Sequence, residues 1–399
     1  MLDFNRRGEI TITCHKFIAP ALQQEVQALG FTVKDSFATG LTLLGSLNDC
    51  IHLNLNLYCA SQVLYKLRSF TANHVDDVYN AVSGIDWLKI MDAEGYFSVT
   101  SNVHHPTINN STFANLRVKD AIVDQIREKT GKRPNTGAAL DGLVVHLFWK
   151  DSNAAIFLDT SGQSLGRHGY RKLPGKAPML EALAAATIIS SNWDRATPFI
   201  NPMCGSGTLA IEASMIASNR KPGLYRSHYA FKHIKGFDDI EYAKAVRKLK
   251  AQIKDEKVPV IRASDISTQA VEVAIKNAKA AGVHHLIDFQ VCDFAATEVP
   301  KQAAGVVFLN PEYGQRLGEE EQLEPVYSRI GDFFKQQCEG YTGYVFTANP
   351  NLARKIGLKA KRKIPFYNAK LECRLLEFEL YKGRRGALHN GNLNLQKEN

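Results

Sequence analysis

Residues 198–211 read PFINPMCGSGTLAI. An apolar run gives way to Asn201-Pro202-Met203-Cys204-Gly205-Ser206-Gly207-Thr208, after which the pattern turns helical. This is a strand, a glycine-bearing turn and a helix N-terminus in succession. Glycine lets the backbone come close to a ligand, and the first helical turn offers N–H groups with no internal partner. A lone G-x-G is also compatible with a plain tight turn. A dinucleotide fingerprint would need a third glycine and an acid ~20 residues on. Ala210 and Ile211 stand where that glycine is wanted, and the next strand-end acid is as far away as Asp265. Nicotinamide dinucleotide binding is therefore disfavoured.

Downstream, strands are expected at 197–202, 258–264, 286–291, 304–309 and 342–347, with helices near 207–218, 268–281 and 322–337. Such alternation predicts an α/β domain with a parallel sheet. A last pair, near 361–367 and 372–381, has no helix between its members and should form an antiparallel hairpin. Upstream the mixture is α+β. It starts with a strand at 9–14, a helix at 19–29 and a strand pair within 31–50, and apolar residues recur at helical spacing over 51–67. From Gly95 a second α+β stretch follows, with YFSVTSNV as a strand. A helix runs from Asn115 to a Gly131 cap, and GLVVHLFWK and AAIFLDTSG form a hairpin. Residues 162–179 are a Gly/Pro-rich loop, and 181–189 an Ala-rich helix. The tail from Gly383 has little apolar content and is expected to be disordered.

The chain has 399 residues, 45% hydrophobic and 22% charged, a composition that excludes disordered, collagenous and disulfide-scaffold proteins. Its length predicts two or three domains. No stretch approaches the ~20 apolar residues of a membrane span, and no secretory leader is visible, so a cytoplasmic location is expected. Seven cysteines, none in a CxxC pair, argue against a zinc site, and no metal is expected. The net charge of +9 permits a polyanionic partner without requiring one.

Each later strand of the alternating half ends in a polar group. Asp265 precedes Ile266 and Ser267. A carboxylate here can accept both hydroxyls of a ribose, or can cap the next helix, a task Ser267 could equally perform. Asp293 can accept the exocyclic amine of an adenine, and Phe294 can face its ring. Asn310-Pro311-Glu312-Tyr313 follows an apolar strand. Methylating a base amine needs acceptors that hold its N–H bonds and release its lone pair. The Asn310 side-chain oxygen and the Pro311 carbonyl suit this, and Tyr313 can stack on the base. A plain Asn-Pro turn is the alternative for that motif alone, but all four features in this order are far less expected by chance.

Together these residues resemble class I S-adenosylmethionine-dependent methyltransferases. More narrowly, the chain is similar to the bacterial THUMP-domain 23S rRNA guanine-N2 methyltransferases, a family also known under the name N6-adenine DNA methylase. The resemblance extends over nearly the whole chain through Val118–Asp124, Leu158–Gly162, Gly169-Tyr170-Arg171, Ala177-Pro178, Tyr367-Asn368 and Leu371–Leu375. It implies a ferredoxin-like subdomain (1–55), a THUMP RNA-binding domain (56–161), a linker with a leading helix (162–190) and a Rossmann-like methyltransferase domain (191–382), with the tail at 383–399. In some bacteria the family carries a second, fused methyltransferase, which this sequence is not expected to contain. The cofactor would lie over the C-terminal strand ends. Residues 201–208 would hold its methionine part, Asp265 and Ile266 the ribose side, and Asp293 and Phe294 the adenine, with Asn310 at its edge. Two positions depart from the family pattern, which has Asp where Asn201 stands and a second Pro where Glu312 stands. Glu312 could accept the adjacent N1–H and N2–H donors of guanine, could point to solvent, or could weaken the enzyme.

The implied partner is 23S rRNA, naked or in a large-subunit particle. Three acid-free basic runs are expected to contact its phosphates. They are Arg167, Arg171, Lys172 and Lys176; then Arg220, Lys221, Arg226, Lys232 and Lys235; then Arg354, Lys355, Lys359, Lys361, Arg362 and Lys363. The competing expectations are N6-adenine methylation of nucleic acid and a non-catalytic RNA-binding or ribosome-assembly factor.

Overall fold

The computed structural model describes residues 1–106, 108, 110–173, 179–301, 304–314 and 319–381. Lys176 and the 383–399 tail lie outside these. The chain divides into two compact units, residues 1–169 with 221–252, and residues 170–220 with 253 onward.

The first unit is built on β1 (Gly8–Thr13), α1 (Ala19–Ala28), β2 (Val33–Phe37), β3 (Gly40–Gly45), α2 (Leu47–Asn56), β4 (Gln62–Thr71), α3 (Val75–Ser83), β5 (Tyr96–His104), α4 (Ser111–Thr130), β6 (Asn135–Thr136), β7 (Leu143–Lys150) and β8 (Asn153–Asp159). Its strands form one sheet ordered β2-β3-β1-β4-β8-β7-β5-β6. Helical spacing over 51–67 was only half realised. The Ser46–Asp49 capping box starts α2 early and the helix stops at Asn56. Residues 62–71 are instead paired in strand β4, with β1 on one side and β8 on the other. The helix expected from Asn115 starts at Ser111, because the Asn110 side chain accepts the Thr112 N–H. It ends at Gly131, whose φ of 72° suits the left-handed cap.

The second unit opens with α5 (Glu181–Ile189), β9 (Phe199–Pro202) and α6 (Thr208–Ala217). The chain then returns to the first unit over 221–252, including α7 (Asp239–Ala251). This return was not expected from the linear order, which placed all of 191–382 together. Phe231 N–H donates to the Thr160 carbonyl (3.0 Å) and Lys235 N–H to that of Ile90 (2.7 Å). The second unit resumes with β10 (Ile261–Asp265), α8 (Thr268–Ala280), β11 (Ile287–Val291), β12 (Val306–Leu309), α9 (Glu319–Gln337), β13 (Thr342–Thr347), α10 (Pro350–Lys355), β14 (Arg362–Asn368) and β15 (Leu371–Glu379).

Its sheet is ordered β11-β10-β9-β12-β13-β15-β14. The β11 to β13 pairs are parallel, and β15 runs antiparallel to both its neighbours. The expected parallel sheet and terminal hairpin are both present. Stacked rings of Phe199, Phe308 and Tyr344 tie its three central strands, with centroids 5.2 and 4.5 Å apart. Strand order reverses between β9 and β12. In open α/β sheets that reversal opens a crevice at the C-terminal strand ends, where ligands bind.

Candidate active site

Asn201 is the next-to-last residue of β9 and is fully buried. Its Nδ2 donates to the Phe308 carbonyl of β12 at 2.9 Å. An aspartate could not donate there and would set a carboxylate against that carbonyl, so Asn201 joins the two central strands without charge. Its Oδ1 is a buried acceptor with no partner among the described residues. Such a group costs about 1–3 kcal/mol unless a ligand donor satisfies it.

The following loop holds Met203, Gly205 and Gly207 at φ of 56°, 54° and 81°. A Cβ on Gly205 would meet nothing within 4 Å, so the backbone there faces open space. One on Gly207 would lie 2.8 Å from the Ala274 Cβ of α8. Glycine at 207 therefore serves the turn and the close approach of the next helix. Cys204 N–H donates to the Ser264 carbonyl (2.9 Å), and burial pushes the Cys204 thiol far above its ordinary range. That thiol is no nucleophile.

Asp265 closes β10. Its Oδ2 accepts the Gly205 N–H (2.9 Å) and its Oδ1 the Ser267 N–H (3.0 Å). Ser267 performs the helix cap, since its side chain accepts the Ala270 N–H. Asp265 is therefore a bracket between the loop and the second strand. Beside it Ile266 is 73% exposed, an apolar side chain left open at this edge. Asp293 Oδ1 accepts the Ala295 N–H and pairs with Arg329 (2.7 Å). Phe294 is placed differently from expectation. It lies in the core edge-on to Phe333, with Arg329 over its ring, and is only 6% exposed.

At the end of β12, Tyr313 Oη donates to Asn310 Oδ1 (2.6 Å). Asn310 Oδ1 thus keeps one of its two lone pairs. Burial pushes the Tyr313 hydroxyl far above its ordinary range, so it stays protonated and donating. Pro311 is buried and Glu312 exposed. Tyr327 Oη donates to the Glu312 carbonyl, and Asn349 Nδ2 to that of Tyr313 (3.0 and 3.2 Å). These two braces, from α9 and the end of β13, hold the loop.

Sequence reasoning missed Asn277, on α8 and 1% exposed. Its Oδ1 accepts the N–H groups of Lys172 and Leu173, and its Nδ2 donates to the carbonyls of Leu173 and Ser206. It fastens Lys172 and Leu173 to the glycine-bearing turn at Ser206. No local pattern marks it, because its partners lie about 70–105 positions away in the chain.

Several cations expected at RNA have partners within the fold. Arg171 donates to Thr208 Oγ1 and the Met179 carbonyl beside the buried Glu181. Arg220 pairs with Asp255 at 2.6 Å. Arg226 donates to the carbonyls of Gln163, Ser164 and Arg167. Lys221 sits over the Tyr58 ring. Lys361 pairs with Glu379, and Arg362 with the buried Glu377. Acid-free runs in sequence found acids from elsewhere in the fold. Arg167, Lys172 and Lys363 are exposed.

The RMKL-like methyltransferase domain description matches residues 168–377, and the THUMP domain description residues 72–159. The chain belongs to the RMKL-like methyltransferase family. It is 34% identical over 93% of its length to the ribosomal RNA large subunit methyltransferase K/L of Syntrophotalea carbinolica, but covers only 53% of that protein. It thus spans about half the length of the K/L relatives. A candidate RNA methyltransferase of Synechocystis sp. is 33% identical, with 90% of this chain and 93% of that one aligned. Among solved structures, a predicted N6-adenine-specific DNA methylase from Listeria monocytogenes superposes with a TM-score of 0.84 at 26% identity, covering 95% of this chain and 97% of that one. Among the described residues, no helix is long and apolar enough to cross a membrane, and no cluster of metal-ligating side chains is present.

Proposed function

We propose that this chain transfers a methyl group from S-adenosylmethionine to the exocyclic N2 of a guanine in large-subunit (23S) ribosomal RNA, in the cytoplasm. The observation that carries this reading is the Asn310–Tyr313 loop. It follows the strand that Asn201 ties to the glycine-bearing turn, which supports placing an amine acceptor beside a cofactor cradle. The residues fit the cofactor's chemistry. Asn201 Oδ1 awaits a donor, Gly205 leaves the backbone open, and Asp265 stands at the second strand end. Residues 201–208 would hold the methionine part, Asp265 and Ile266 the ribose side, and Asp293 the adenine amine.

When bound, the cofactor would supply the methyl carbon on a sulfonium and depart as the neutral thioether, with one N2 proton passing to solvent water. The protein supplies orientation. Asn310 Oδ1 and the Pro311 carbonyl accept the N2–H bonds, which turns the nitrogen lone pair out of conjugation with the ring. Tyr313 donates to Asn310 and so fixes the amide's rotamer. The target base must first leave its stack, at a cost of a few kcal/mol. The THUMP domain contributes RNA affinity through shape and phosphate contacts.

Glu312 supplies an acceptor for guanine N1–H, where adenine offers an acceptor of its own. Glu312→Pro should lower transfer to guanine by about tenfold, as expected for removing base recognition worth about 1–3 kcal/mol, and relax base choice toward adenine. The check is nucleoside analysis of methylated RNA by mass spectrometry. Unchanged rate and unchanged base choice would remove Glu312 from recognition.

A further inference from the structure

A groove of about 660 Å³ lies in the second unit between β13, α10 and the hairpin of β14 and β15. That size falls within the roughly 300–1,000 Å³ of ordinary ligand sites. Its apolar lining includes Ala353, Leu358 and Leu376. Its charged lining is Arg354, Lys359, Lys363, Glu372 and Arg374. Glu372, the acid of this set, is taken by Arg374. Arg354, Lys359 and Lys363 have no acidic partner among the described residues, and all three are exposed. Their neighbours in sequence differ, since Lys355, Lys361 and Arg362 each pair with a glutamate outside the groove. The fold thus sorts one basic run into paired cations and a cationic groove.

The groove is joined to the target-base loop. Asn349, which lines it, donates to the Tyr313 carbonyl at 3.2 Å. Thr347, also lining it, shares the Tyr327 hydroxyl that holds the Glu312 carbonyl. Thr347 pairs with Arg374 across β13 and β15, so the groove opens at the same C-terminal sheet edge as Asn310. An anionic, partly apolar ligand fits this lining, and a nucleotide of single-stranded RNA has both properties.

We infer that the groove seats a nucleotide flanking the target base, with its backbone phosphate on Arg354, Lys359 and Lys363 and its base over the apolar floor. This rests on the reading of the chain as an RNA methyltransferase. It adds a subsite that would hold the strand while the neighbouring base enters the crevice.

The test compares two double variants of equal charge change in the full chain. Lys359→Ala/Lys363→Ala removes groove cations, and Lys355→Ala/Lys361→Ala removes paired ones. Binding of a fluorescein-labelled single-stranded RNA of about ten nucleotides is followed by anisotropy across a salt series. Cofactor affinity and Tm confirm that both variants are folded. The groove variant should bind about tenfold more weakly. Its log K against log salt slope should fall by about 1.4, or about 0.7 for each single-strand phosphate no longer neutralised. The paired-cation variant should stay within about twofold. Equal losses in the two variants, or none in the groove variant, would overturn the subsite. Methyl transfer by the unaltered chain is measured in parallel. Transfer that proceeds with the same KM for RNA in the groove variant sinks the groove alone. RNA binding that depends on the groove with no transfer by the unaltered chain sinks the catalytic reading alone.

Discussion

Asn310→Ala should lose methyl transfer by about 10²–10³-fold, the scale seen when one preorganised hydrogen-bonding group is removed from a reacting centre. The loss should fall mainly on kcat, because the Asn310 acceptor strengthens its bond only as the amine nitrogen gains positive character. The variant also removes the acceptor of the Tyr313 hydroxyl, which donates to Asn310 Oδ1 at 2.6 Å. Burial keeps that hydroxyl protonated, so it cannot act as a base toward the amine. Single-turnover rates with saturating RNA, alongside calorimetry of S-adenosylmethionine binding, check this. A rate within tenfold of the unaltered chain would show that Asn310 does not hold the amine.

Gly207→Ala should destabilise the second unit by about 2–5 kcal/mol, combining about 1–2 for a side chain in the left-handed region with about 1–3 for overpacking. Both causes are local. Gly207 sits at φ 81°, and an added Cβ would come within 2.8 Å of the Ala274 Cβ. The new methyl pushes α8 away from the cofactor loop, and α8 carries Asn277, which holds the Ser206 carbonyl. Cofactor affinity should therefore fall together with Tm. Adding Ala274→Gly relieves the clash but leaves the dihedral cost. Differential scanning calorimetry should show partial recovery in the double variant. Full recovery would mean that the dihedral contributes nothing, and no recovery that packing against Ala274 does not matter.

The glycine-bearing turn and the Asn-Pro-x-Tyr loop were legible in sequence because each sits where an apolar run stops, a position local pattern can mark. The parallel sheet was legible for the same reason. Strand β4 was not, because apolar residues from the end of α2 and the start of β4 happen to continue one helical spacing across 51–67. Ser46 and Asp49, which start that helix early, were the available signal. The fate of the cations was not legible at all. Glu379, Glu377 and Asp255 reach Lys361, Arg362 and Arg220 only through strand pairing and loop packing. The packing of Phe294 was not legible, because an aromatic residue after a strand-end acid reads the same whether it faces a ligand or the core.

The most direct test of the whole account is to incubate the chain with unmodified large-subunit ribosomal RNA and labelled S-adenosylmethionine, digest the RNA to nucleosides and identify the labelled product by mass spectrometry. The account predicts N2-methylguanosine as the labelled nucleoside. N6-methyladenosine would contradict the base assignment, and no label in the RNA despite measurable cofactor binding would contradict catalysis on this substrate.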